Sequence, residues 1–158
     1  MCQQLMDYSR LDFELDDAER FTKLQTVFAA LKTAKERDLA GEHFPDPEDE
    51  YWRTLFDERS LQHFWWPTPD ELADWTRRWQ AAPVATRHTD PSLQTPWGFS
   101  SMIDSFWSGE YDLISIDRTS DTAGRLQFNP HACPHGGTGC MRALIESFGG
   151  VVTGEAGT

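Results

Sequence analysis

From Tyr111 onward the apolar residues of this 158-residue chain change their period, and that change restricts the fold more than any other feature. Residues 111–118 and 125–129 show the two-residue alternation of strands. Between them, Ser120-Asp121-Thr122-Ala123-Gly124 is a turn sequence, so a β-hairpin is expected. A lone hairpin is marginal in water. Residues 11–15 (Leu-Asp-Phe-Glu-Leu), residues 151–153, or both are therefore expected to extend it into a sheet. Ahead of the hairpin the pattern is helical. Helices that precede strands instead of alternating with them argue for an α+β fold. The expected architecture is four to five helices around a small antiparallel sheet built on a C-terminal β-hairpin followed by a short helix.

The strongest helix signal covers residues 16–39. Phe21, Leu24, Val27, Phe28, Leu31 and Ala34 recur on one face. Asp16, Asp17 and Glu19 at its start and Lys32, Lys35 and Arg37 at its end match the helix dipole, and Gly41 supplies a stop. Asp46-Pro47 is expected to open a second helix with Pro47 at its first position. Thr68 and Glu71 form a capping box for a third, with Leu72, Trp75 and Trp79 facing inward. Thr95-Pro96 repeats that start signal for a fourth, closed by Gly109. A last short helix carries Met141, Leu144, Ile145 and Phe148, with Gly149 as its stop.

At this length one domain is expected, over residues 1–153, with residues 154–158 as a disordered tail. Twenty aromatic residues offset a modest hydrophobic fraction, because each buries a large area. The net charge is −12, and it is spread along the chain: residues 1–60 hold 15 acids and 8 bases, residues 61–158 hold 11 and 6. That field repels phosphate backbones and anionic membranes, so no nucleic-acid or membrane partner is expected, and a basic protein partner is favoured. The three cysteines, Cys2, Cys133 and Cys140, are an odd set that fits a reducing compartment better than a disulfide framework. A cytoplasmic setting is expected.

Residues 131–140, His-Ala-Cys-Pro-His-Gly-Gly-Thr-Gly-Cys, are the densest in reactive side chains. Read as a metal site, His131, Cys133 and His135 alternate along the backbone and Cys140 completes a tetrahedral set. The spacing departs from paired zinc-ligand patterns, however. Read as a thiol site, Cys140 begins a helix whose dipole would lower its pKa, with His131 or His135 as base. Here too no known template fits, and buried cysteines commonly serve as small hydrophobes. Read as an anion cradle, Gly136, Gly137 and Gly139 free backbone N–H groups ahead of a helix, and Arg142 lies in its first turn. Glycines also serve plain turns. No cofactor is expected.

Two further features point outward. Asp46, Glu48, Asp49 and Glu50 form an acidic cluster suited to a basic partner, although helix capping explains part of it. Trp65 and Trp66 are adjacent in a loop, so one of them is expected to be exposed as a binding anchor. The reading favoured by these residues is a non-enzymatic acidic domain, such as an inhibitor or a toxin-neutralising immunity protein. The alternative is a small thiol- or metal-dependent enzyme built on residues 131–142.

Overall fold

A computed structural model describes residues 8–131 and 138–156. Strand β1 (Ser9–Glu14) and helix α1 (Ala18–Leu39) are followed by two short helices, α2 (Glu50–Thr54) and α3 (Glu58–Leu61). Helix α4 (Pro69–Ala81), a 3₁₀ turn at Pro91–Leu93 and helix α5 (Phe99–Ser108) precede the hairpin β2 (Tyr111–Arg118) and β3 (Ala123–Pro130). Helix α6 (Gly139–Ser147) and strand β4 (Val151–Ala156) complete the described chain. The fold is α+β. Its four strands form one antiparallel sheet in the order β2-β3-β1-β4.

Both expected additions join the hairpin. Strand β1 lies inside the sheet, with Leu11 opposite Leu126 on β3 and Phe13 opposite Val152 on β4. Strand β4 continues through Gly154, Glu155 and Ala156, where a tail was expected, because these residues pair with Arg10, Leu11 and Asp12. Among the described residues there are six α-helices. Asp57 caps a separate α3 through its carboxylate on the Ser60 N–H, so the second helical stretch is broken in two.

Helix α1 follows its sequence pattern: Phe21, Leu24, Val27, Phe28 and Leu31 are buried, and Asp17 caps the first turn by accepting from the Glu19 and Arg20 N–H groups. Gly41 and Gly149, at φ +93° and +90°, close α1 and α6 in a backbone region that disfavours side chains. The core lies between these helices and one face of the sheet, where Leu11, Phe13, Leu126 and Phe128 meet Met102, Ile103, Leu144 and Ile145. The opposite face is polar and remains in contact with water, as antiparallel sheets permit. There Asp12 stands between Arg125, 2.7 Å away, and Arg10, and the hydrogen bond from Arg125 holds its carboxyl below the usual range.

Two buried cations tie the helices together. The Arg20 guanidinium donates to Ser60 Oγ (2.6 Å) and to the Ser147 carbonyl (3.2 Å), joining α1 to α3 and α6. The Lys35 ammonium donates to the carbonyls of Phe106, Trp107 and Gly109 at 2.8, 3.1 and 2.8 Å, and so closes the C-terminus of α5 from α1.

Three helix expectations need correction. Pro47 does not open a helix: the Asp46 carboxylate captures the Glu48 N–H in a turn, and Asp49 caps α2 one step later through the Tyr51 N–H. Helix α5 starts after Gly98, not at Thr95-Pro96. Helix α4 keeps its capping box, with Thr68 and Glu71 bonded reciprocally at 3.2 and 2.9 Å, but none of its residues reaches the core. Its apolar stripe is met by the loop that follows. Trp75 stacks on Trp79 and donates its indole N–H to the Leu93 carbonyl, while Arg87 lies over the Trp79 ring. Leu93 is buried yet separate from the main core. Residues 66–97 thus leave the body and return at one place, where the Trp65 N–H donates to the Trp97 carbonyl at 2.9 Å.

Candidate functional site

The acidic segment at residues 46–50 is fixed by aromatic pins on both sides. Phe44 and Trp52 are buried, their rings stack at 5.4 Å, and Phe44 stacks again on Trp107 at 5.3 Å. The Trp52 indole donates to the Pro45 carbonyl at 3.3 Å. Between these pins, Asp46 and Asp49 each commit one oxygen to a backbone N–H. Among the described residues none of the four carboxylates of Asp46, Glu48, Asp49 and Glu50 forms an ion pair. Four unpaired negative charges therefore stand on one short, well-anchored segment.

The tryptophans meet this segment across a groove. Trp66 is 47% exposed and is held as a fixed plate: its ring stacks on Phe99 (5.5 Å between centroids, 22° between planes), and its indole N–H donates to the Leu61 carbonyl at 2.7 Å. Trp65 is half-buried, edge-on to Trp75. Glu48, Asp49, Arg53, Trp65, Trp66 and Leu72 line a cavity of about 570 Å³ together with Phe99 and the first turn of α5. That volume falls within the size of ordinary ligand clefts, roughly 300–1,000 Å³. Glu48 and Asp49 of the acidic cluster and the tryptophan pair, which the sequence offers as separate features, line one groove, whereas Asp46 and Glu50 are not among its lining residues.

Sequence reasoning missed Arg53, Leu72 and Phe99. Arg53 had a usable signal: it follows Asp49 by four residues across a helical turn, so both lie on one side. Leu72 and Phe99 had none, since only the return of residues 66–97 to Gly98 brings them together. A second groove of about 770 Å³ lies on the other side of the acidic segment, lined by Ala30, Thr33, Arg37, His43 and Tyr51, with Asp49 shared by both.

Within residues 131–142, Cys140 and His131 take different partners, while Thr138 and Arg142 share one. Cys133, His135, Gly136 and Gly137 lie outside the described residues. Cys140 is buried, with its sulfur 3.2 Å from the Tyr111 hydroxyl, and His131 Nε2 lies 2.9 Å from Asp112 Oδ2. Tyr111 and Asp112 are consecutive in β2, so their side chains take opposite faces of the sheet. Cys140 and His131 therefore meet β2 through side chains of opposite parity.

The expected lowering of the Cys140 pKa is also corrected. Burial pushes the thiol up, against the smaller lowering effects of the Tyr111 hydroxyl and the helix-start N–H groups. In a protein whose other two cysteines are replaced by serine, Cys140 is expected to ignore a thiol-reactive disulfide reagent under native conditions and to react fully in denaturant. Rapid native reaction would contradict the burial.

The helix start at α6 already holds a carboxylate of the chain itself. Thr138 donates to Glu155 Oε1 at 3.1 Å, and Arg142 Nη2 meets the same oxygen at 2.5 Å. Gly139 has a packing role, because a Cβ there would lie 2.9 Å from the Trp97 ring. Among the described residues no group of three or more His, Cys, Asp or Glu converges as a metal site, and no helix is long and apolar enough to cross a membrane. Compared with protein-family profiles, with curated proteins and with solved structures, the chain matches none.

Proposed function

We propose that this chain is an acidic protein-binding domain that engages a basic protein partner through the groove between residues 46–50 and Trp65-Trp66, as an inhibitor or a toxin-neutralising immunity protein does. One observation carries the reading: Glu48, Asp49, Trp65 and Trp66 line a single groove, and although Arg53 shares its lining, neither carboxylate forms an ion pair among the described residues. A rigid aromatic anchor beside unpaired charge is the composition of an interface hot spot, where the ring supplies buried area and the charge selects and steers the partner. The net charge of −12 extends that steering beyond the groove. A cytoplasmic setting belongs to the same proposal, supported by the free, buried Cys140. The thiol- or metal-dependent alternative has less support: burial pushes the Cys140 thiol pKa up, and Cys133 and His135 lie outside the described residues.

The test uses the partner captured by the wild-type chain from its native host. Glu48→Lys combined with Glu50→Lys is expected to slow association with that partner by at least about tenfold at low salt and to flatten the dependence on ionic strength. Both side chains are exposed and neither carries a structural hydrogen bond, so the fold should persist. Association that is equally fast and equally salt-dependent in the variant would remove this groove from the interface.

A further inference from the structure

We infer that the groove takes an arginine side chain presented on an extended segment of the partner, an inference that rests on the reading of the groove given above. The geometry distinguishes a guanidinium from other cations. Trp66 is a flat plate already fixed on one face by Phe99 and at its edge by the Leu61 carbonyl, leaving the remaining face for a second planar group. Guanidinium stacks on such a face and also forms paired hydrogen bonds with a carboxylate, which an ammonium cannot match. Glu48 and Asp49 stand across the same groove with free carboxylate oxygens, so one side chain can satisfy both walls.

The groove is also polar along its length. Its far end is the start of α5, where Gly98 occupies the cap position and no side chain accepts from the first N–H groups. Those donors, at the positive end of the helix dipole, disfavour a cation and suit backbone carbonyls. The arginine head is therefore directed toward Glu48 and Asp49, and the carbonyls of the segment that carries it toward Phe99, Ser100 and Ser101. Arg53 lies on the acidic wall and answers part of its charge, so the surplus accommodates one incoming cation more readily than a run of them.

Three seven-residue, proline-rich peptides with a central arginine, lysine or glutamine test this, titrated against isotope-labelled protein while the indole N–H resonances of Trp65 and Trp66 are followed. The arginine peptide is expected to shift both resonances and to bind at least about fivefold more tightly than the lysine peptide, with none for glutamine. Glu48→Lys is expected to abolish the shifts. Asp49→Asn, which keeps the helix cap while removing the charge, is expected to weaken binding by about tenfold. Equal binding of the arginine and lysine peptides would overturn the guanidinium assignment and leave the basic-partner reading standing. Absence of shifts from both cationic peptides at millimolar concentration, or undiminished binding by Glu48→Lys, would overturn both.

Discussion

Replacing Trp52 with alanine is expected to lower the stability of the domain by about 3–5 kcal/mol, and to weaken partner binding although Trp52 lines no part of the groove. The stability loss follows from complete burial of the indole and its stack on Phe44, which leave a large void on truncation. The binding loss follows from where that void opens. Helix α2 has five residues, too few to persist without tertiary packing, and Trp52 is its only buried side chain. Without it, Asp46 to Glu50 lose the anchor that holds them opposite Trp66. Equilibrium urea unfolding measures the first effect and partner titration the second. Trp52→Phe, which keeps an aromatic stack and gives up the bond to Pro45, should cost less than half as much. A loss below about 1 kcal/mol for the alanine variant, the scale of a surface substitution, would show that the stack does not support the segment.

Lys35→Met carries the other large effect, expected at about 3 kcal/mol. The substitution preserves most of the buried side-chain volume, so the loss is electrostatic. The ammonium serves three carbonyls at the end of α5, a helix with no basic residue in its own last turn, and it also sits 4.9 Å from the centre of the Tyr111 ring. Removing it leaves buried acceptors without donors and the negative end of the helix dipole uncompensated. Burial itself lowers the Lys35 pKa, the only large unfavourable effect of placing a charge there. The melting temperature should fall by roughly 6–12 °C for a chain of this size. A variant as stable as the wild type would mean that water reaches those carbonyls.

How much of this was readable in advance depends on whether the deciding partner is near or far in sequence. Helix α1, the hairpin and the capping box at Thr68 depend on neighbours a few residues away, and their residue patterns announce them. The misplaced helix starts at Pro47 and Thr95 involve competition between adjacent caps: Asp49 and Gly98 prevail over signals three residues earlier. The inward face assigned to α4 was a real apolar stripe whose counterpart turned out to be Leu93 and Arg87, not the core. At the site, the acids and the tryptophans each stood out by composition. Their meeting did not, because it is set by the way Trp65 returns to Gly98. That Cys140 meets Tyr111 while His131 meets the next residue of β2, Asp112, has no signal in the sequence.

Residues 66–97 begin and end at one hydrogen-bonded junction, and their side chains mostly serve one another. Such a stretch behaves as a cassette. It can be lengthened, rewritten or exchanged at little cost to the sheet, since the spacing of its ends is already fixed. Because it furnishes Trp66 and Leu72 to one flank of the groove while residues 47–49 furnish the other, a lineage could renew the first flank by exchanging the cassette alone and inherit the charged one unchanged.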